Sequence, residues 1–212
     1  MFSPAELGLC RNLSHRNHRR AFFGLSAVGL LLLSNDFIRL WVGTDYVLDI
    51  TSVAAIVGAF YVNNMHHACF VYRNTAGLFV YGKYIPVIAS VLNIGLDVAL
   101  GMWIGLPGIF LATIIARMLT YEIVDPLIIY RRVFGKSVLA YYGNYLKYTA
   151  IVAAAVVACW AVLSVIPVGS WLGFAVSCVA IGIVYCVAFC LLSFKTNGFG
   201  VLRGFARRIV IR

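Results

Sequence analysis

The sequence predicts an all-α, polytopic membrane protein with six transmembrane helices, and its composition is the first observation that indicates this. Of the 212 residues, 63% are hydrophobic and only 11% are charged. A soluble domain is usually about half apolar and a quarter charged, so this composition excludes an ordinary water-soluble globule. Fourteen Phe, twelve Tyr and four Trp exclude a disordered chain as well.

Six long apolar segments are the second observation, because one membrane-spanning helix needs about 20 apolar residues. Short connections with glycine or proline, such as Gly43 and Leu106-Pro107-Gly108, separate these segments. The first segment is not a cleaved signal, since Ser34-Asn35-Asp36 offers no small-x-small cleavage site. The predicted spans are residues 21–42, 48–72, 84–104, 107–130, 148–167 and 171–194.

The distribution of charge is the third observation, and it predicts the orientation of the chain. Fifteen of the seventeen Lys and Arg fall on one side of the six-span arrangement, all except Arg39 and Arg117. The positive-inside rule therefore places both termini in the cytoplasm. Because the basic residues lie in small clusters between apolar runs, the net charge of +10 indicates topology and excludes nucleic acid as a partner.

Polarity then divides the predicted chain into five regions. The first four spans contain the polar residues of the membrane region, whereas residues 150–194 contain no Lys, Arg, Asp, Glu or His. The last two spans are therefore expected at the periphery, facing lipid. The predicted regions are a basic cytosolic segment 1–20, a polar-lined four-helix core 21–130, a basic cytosolic loop 131–147, a peripheral helix pair 148–194 and a basic cytosolic tail 195–212.

Two polar stripes on the third and fourth spans predict helix faces that avoid lipid. The residues at helical spacing are Ser90, Asn93, Asp97 and Gly101 on the third span, and Thr113, Arg117, Thr120 and Tyr121 on the fourth. A charge in the middle of a span costs at least about 2.5–3.5 kcal/mol, so a group must face Arg117. The two charged residues differ in depth by no more than ~5 Å, which predicts an Asp97–Arg117 ion pair. Such a pair either pins two helices or faces a wet cavity.

Further polar residues lie towards the inner ends of the second and fourth spans. Asn63, His66 and His67 share one helix face, where they form interhelical hydrogen bonds or line a cavity. Glu122 and Asp125 either reach the interface or include a protonatable coupling group. The adjacent histidines point about 100° apart and form a poor chelating pair. Cys186 and Cys190 lie one helical turn apart, but no His or carboxylate accompanies them, so no metal site is predicted.

Arg39 lies near the outer end of the first span, three residues after Asp36. Either an i,i+3 ion pair or snorkelling of the side chain to the interface accounts for a charge at this position.

Several short sequences occur in an order and spacing that resemble one family of transporters. They are L-W-V-G-T-D-Y-V-L (40–48), F-Y-V-N (60–63), Y-R-N-T-A-G-L-F (72–79), K-Y-I-P (83–86), S-V-L-N-I (90–94), G-L-P-G-I-F-L-A-T (105–113), D-P-L-I-I-Y (125–130) and F-G-K-S (134–137). Over residues 35–150 the chain resembles the later half of bacterial polysaccharide-biosynthesis flippases of the Wzx type. These flippases belong to the multidrug/oligosaccharidyl-lipid/polysaccharide exporter superfamily.

This resemblance implies a function in the bacterial cytoplasmic membrane. Such proteins are two-lobed helical transporters, not enzymes, and they move undecaprenyl-diphosphate-linked glycans for O-antigen or capsule biosynthesis. The resemblance implies a polar and cationic cavity, no cofactor, a possible coupling ion (H+ or Na+), and lipid and polysaccharide-assembly proteins as partners. The residues of suitable type are Arg39, Asn63, His66, His67, Arg73, Asn93, Asp97 and Arg117, with Asp97, Glu122 and Asp125 as candidate coupling carboxylates.

Two departures from the family pattern keep an alternative open. Asp97 and Glu122 stand where small polar or apolar residues are more usual, and the chain has the length of half a transporter. A lobe alone has no alternating access, so we expect a fragment, a remnant or a chain that needs a partner for the missing lobe. The alternative is a membrane scaffold or an integral-membrane transferase of a polysaccharide assembly complex.

Overall fold

The computed structural model describes residues 4–134, 137–166 and 170–193, with side chains from residue 21 to residue 191 except at 68, 79, 133, 134 and 140. Within these ranges the chain forms helices and turns and no strand. The predicted tail 195–212 lies outside the described residues. The α-helices are α1 Pro4–Trp41, α2 Ile50–Thr75, α3 Ile85–Ile104, α4 Leu106–Leu119, α5 Tyr121–Ile129, α6 Leu139–Leu163 and α7 Trp171–Ser193.

Among the residues that the structure describes, five helical stretches are long and apolar enough to cross a membrane, which makes this a multi-pass membrane protein. They are Ala21–Trp41, Val80–Ile104, Leu106–Arg132, Tyr141–Leu163 and Trp171–Leu191. The remaining predicted span corresponds to α2, whose 26 residues are long enough but include Asn63, Asn64, His66, His67 and Arg73. The count of six spans and their orientation therefore stay predictions.

The connection between α1 and α2 is short and carries its own cap. A single turn of 3-10 helix over Thr44–Tyr46 follows Gly43. Asp49 then caps α2, because its carboxylate accepts hydrogen bonds from the backbone N–H and the hydroxyl of Thr51. These two bonds lower the pKa of the exposed Asp49 carboxyl. Asn35 fastens the same connection to α1 through a 2.8 Å hydrogen bond to the carbonyl of Leu48.

Helices α3 and α4 form a tight antiparallel hairpin that depends on two glycines. Gly105 joins them with a φ of +77°, in the left-handed region that favours glycine. At Gly108 an added Cβ would lie 2.1 Å from the carbonyl oxygen of Leu100, so only glycine permits this approach. Gly108, Ala112 and Ala116 recur every four residues and are all buried, which gives α4 a small-residue face for close packing.

The predicted fourth span is two helices, and this corrects the single helix expected over 107–130. Thr120 leaves helical geometry with φ −108° and ψ −82°, and it separates α4 from α5. Its hydroxyl donates a 2.6 Å hydrogen bond to the carbonyl of Ala116. A turn of π-helix over Tyr130–Phe134 follows α5. The interrupted helix places Arg117 on one side of the break and the two acidic residues, Glu122 and Asp125, on the other.

Helix α6 begins at Leu139, so the loop expected over 131–147 is partly helical. The reason is aromatic packing, since Tyr141 is buried in a cluster with Cys69 and Ile129. Burial of these side chains stabilises the first turns of α6. Mean hydropathy alone does not predict a helix there.

The chain divides into two compact units, residues 30–147 and residues 1–29 with 148–212. In the second unit the described part includes the start of α1, most of α6, and α7. Tyr185 of α7 packs against Gly24, where an added Cβ would lie 2.2 Å from its hydroxyl oxygen. The candidate site described below lies entirely within residues 30–147, hereafter the central unit.

Candidate functional site: a buried ion cluster and a polar recess

Helix α2 carries the polar residues of the central unit because protein, not lipid, covers one of its faces. It packs against α4 and α5. Buried residues recur along that face from Ser52 and Val53 to His66, Cys69 and Arg73. Polar side chains are tolerated at membrane depth where they face other helices and find partners. Packing against α4 and α5 therefore explains why α2 tolerates polar residues that lower its mean hydropathy.

Asp125 of α5 is the centre of a buried ion cluster. Its side chain has no solvent exposure, and its Oδ1 accepts a hydrogen bond from Nη1 of Arg73. Its Oδ2 lies 2.7 Å from Nε2 of His66, whose side chain is 7% exposed. The cluster joins α2 to α5 across 52 and 59 positions of sequence. Arg73 gives the carboxylate the counter-charge that a buried ion requires.

A glycine makes room for the guanidinium group of this cluster. Gly82 ends the 3-10 turn Leu78–Gly82 between α2 and α3. A Cβ added there would lie 2.4 Å from Nη1 and 2.8 Å from Cζ of Arg73. The Cζ atom of Arg73 also lies 5.5 Å from the ring centre of Phe70. A side chain at position 82 would displace the guanidinium from its present position, so Gly82 leaves the space that Arg73 occupies in the ion cluster.

Glu122 lies one turn before Asp125 and is also buried. The hydroxyl of Tyr141 is 3.5 Å from its Oε2, and its Oε1 has no hydrogen-bond partner among the described residues. The main chain of Glu122 is satisfied differently. Pro126 has no N–H to donate to the carbonyl four residues earlier. The hydroxyl of Tyr142 donates a 3.0 Å hydrogen bond to that carbonyl instead.

A separate polar recess of about 130 Å³ lies between α3 and α4. Residues of the two predicted polar stripes, together with two alanines, line it: Ala89, Ser90, Asn93, Thr113, Ala116, Arg117 and Tyr121. The structure thus brings the two stripes together, and the cation they share is Arg117.

The predicted Asp97–Arg117 ion pair is not formed, which corrects the sequence-based expectation. Asp97 instead accepts a 3.1 Å hydrogen bond from Nδ2 of Asn93, which also lies 3.4 Å from the hydroxyl of Thr113. The Cζ atom of Arg117 lies 5.7 Å from the ring centre of Tyr121. Asp97 and Arg117 were predicted to lie at similar depth in the membrane, but contact also requires that the two side chains point towards each other around their helix axes.

The remaining predicted site residues are dispersed. His66 is buried, but Asn63 and His67 are exposed, so the three do not share one environment. Arg39 forms the predicted i,i+3 ion pair with Asp36, at 2.5 Å. That pair is 49% and 26% exposed and lies outside both the ion cluster and the recess.

Sequence reasoning missed two residues that contact the buried polar groups, Gly82 and Tyr142. Nothing in the spacing of Gly82 indicates a guanidinium neighbour. Pro126, in contrast, is a readable signal, because a proline inside a helix predicts an unsatisfied carbonyl four residues earlier. A donor for Glu122 could therefore have been sought, although its identity depends on tertiary contact.

These features define a class, a multi-pass helical membrane protein with a buried ion cluster and a membrane-embedded polar recess. No family model, curated protein or solved structure matches the chain.

Proposed function

We propose that this chain is one lobe of a flippase that moves undecaprenyl-diphosphate-linked oligosaccharide across the bacterial cytoplasmic membrane. In this proposal both termini are cytoplasmic, and six helices including α2 span the bilayer. The transported molecule has three parts with different requirements: an isoprenoid tail, an anionic diphosphate and a hydroxyl-rich glycan. A lobe that serves it needs cationic and hydrogen-bonding groups at membrane depth.

The single observation that carries the proposal is the recess around Arg117. Ser90, Asn93, Thr113 and Tyr121 line it together with Arg117, and side chains of these types form hydrogen bonds with sugar hydroxyls. The guanidinium of Arg117 suits phosphate oxygens. Arg117 forms no ion pair with a described carboxylate, so its guanidinium donors are available to an anion. In contrast, Asp125 neutralises Arg73, and that cation serves the packing of α2 against α5.

The size of the recess sets what one lobe can do. About 130 Å³ accommodates one phosphate or the edge of one sugar and not a whole glycan. A second lobe, in the same or another polypeptide, would provide the facing wall, as in transporters built from two repeats. The interruption at Thr120 fits this use, because transporter sites are commonly formed where a membrane helix is broken.

Replacement of Arg117 by alanine in the full-length protein tests this proposal. We expect surface polysaccharide export to fall at least about ten-fold in a strain that depends on this gene, since the loss of one charged hydrogen bond costs about 1.5–3 kcal/mol. Protein abundance should stay unchanged, because Arg117 is half-buried and forms no ion pair with a described carboxylate. Arg39→Ala is the matched control and should export normally.

Two results would overturn the proposal. Export by Arg117→Ala at the normal level with normal abundance would remove the recess from the transport path. Glycan transfer by the purified protein, with bond formation in place of translocation, would favour the integral-membrane transferase.

A further inference from the structure

One end of the central unit carries a concentration of exposed basic and aromatic residues, here named the basic rim and defined as Tyr81, Lys83, Tyr84, Arg131 and Arg132. The span Val80–Ile104 begins there and the span Leu106–Arg132 ends there. All five residues are exposed. The rim therefore coincides with the ends of two apolar stretches, which is the depth of the phospholipid headgroups.

The aromatic residues of the rim hold two of its cations in place. The Cζ atom of Arg132 lies 4.7 Å from the ring centre of Tyr81, and the Nζ atom of Lys83 lies 4.8 Å from that of Tyr84. Tyr81 is 54% exposed and Tyr84 is 65% exposed. Contact with a ring face leaves the N–H groups of a cation free to donate to an acceptor from outside the protein.

No carboxylate described in the structure neutralises the rim. The described ion pairs involve Asp36 and Asp125, and Asp125 is buried with Arg73 and His66. Asp45 and Asp49 lie at the opposite end of α2, which is about 39 Å long. Three positive charges thus lie together, exposed and without an ion pair to a described carboxylate, where the chain leaves the apolar region.

We propose that the basic rim binds an anionic phospholipid of the surrounding leaflet. Lys83, Arg131 and Arg132 donate to the phosphate of its headgroup, while Tyr81 and Tyr84 contact the glycerol and upper acyl region. Basic residues beside membrane helices attract anionic headgroups in this way. Tyrosine is enriched at the membrane–water interface, at the depth of the headgroups. This site is distinct from the recess around Arg117, and it does not depend on the proposed flippase function.

Native mass spectrometry of the full-length protein in detergent tests the inference, with phosphatidylglycerol and phosphatidylcholine of identical acyl chains as the probes. We expect the protein to retain phosphatidylglycerol in preference. Lys83→Gln and Arg132→Gln should each lower its association about five-fold, with phosphatidylcholine unaffected. Arg131→Gln removes a charge without altering either cation–aromatic contact, and it should lower phosphatidylglycerol association by a similar factor. Arg39→Gln, at the other end of the unit, is the matched control and should bind as the unaltered protein does.

Two outcomes would overturn the lipid assignment. One is equal retention of the two lipids, or unchanged phosphatidylglycerol binding in Arg131→Gln. The other is displacement of phosphatidylglycerol by inorganic diphosphate at the same concentration, which would identify the rim as a site for free phosphate groups. Normal glycan export by Arg117→Ala would overturn the flippase proposal and leave the lipid result unchanged, so the two proposals fail separately.

Discussion

The buried contact between Arg73 and Asp125 is where we expect a single substitution to lower the stability of the central unit strongly. Both side chains are almost fully buried, so removal of one leaves an uncompensated charge. Arg73→Ala should therefore lower the free energy of unfolding by about 3–5 kcal/mol. Equilibrium unfolding of the purified protein in mixed micelles measures this loss.

The exposed pair of Asp36 and Arg39 provides the control for that measurement. It is also an arginine–aspartate contact, but solvent reaches both side chains. Asp36→Ala should cost less than about 1 kcal/mol. Similar losses for Arg73→Ala and Asp36→Ala would contradict the assignment of the buried cluster as a packing contact.

Sequence reasoning at the scale of single residues found the charged groups but not all of their partners. Asp36 and Arg39 lie on one helix, where spacing alone determines the contact, and their pair is confirmed. The prediction of an Asp97–Arg117 pair was wrong. It rested on the depth of the two residues, which does not determine how each helix is rotated about its axis or how closely the two helices approach each other. The contacts of Asp125 with His66 and Arg73 require the packing of α2 against α5, which spacing within one helix cannot provide.

At the scale of helices, Pro126 and Tyr142 form a coupled pair. Tyr142 donates to the carbonyl of Glu122, which Pro126 leaves without its helical partner. Tyr142→Phe should destabilise the protein by about 1 kcal/mol. In a Pro126→Ala background the restored N–H can donate to the same carbonyl, so Tyr142→Phe should then cost close to nothing.

A double-mutant cycle in the same unfolding assay measures this coupling. Equal losses from Tyr142→Phe in the two backgrounds would show that the tyrosine hydroxyl does not replace the missing helical hydrogen bond. The cycle is informative because each substitution removes a defined donor or supplies one.

Hydropathy and the positions of glycine and proline predicted most of the helices but not their interruptions. Helices α3 and α7 agree closely with the predicted segments 84–104 and 171–194. The break at Thr120 has no glycine or proline beside it, so neither residue type signals it in the sequence. The early start of α6 was missed because the tyrosine-rich segment before Lys147 has the composition of a loop. Only the folded structure shows that Tyr141 in this segment is buried.

For the molecule as a whole, the position of α2 distinguishes six spans from five. If α2 spans the membrane, residues 44 and 76, on either side of it, face opposite compartments. In a cysteine-free background, Thr44→Cys should react with a membrane-impermeant maleimide in intact cells, and Ala76→Cys should react only after permeabilisation. Labelling of both positions from the same side would show that α2 does not span, and the predicted orientation would be wrong.

Reconstituted translocation tests the central claim, that the recess around Arg117 contacts a transported lipid-linked glycan. The complete native protein is placed in liposomes with undecaprenyl-diphosphate-linked oligosaccharide in the inner leaflet, and arrival at the outer leaflet is measured with an impermeant glycan-binding probe. We predict translocation by the unaltered protein and by Arg39→Ala, and at least about ten-fold slower translocation by Arg117→Ala. Equal rates for all three proteins, or no movement above protein-free liposomes, would contradict the account.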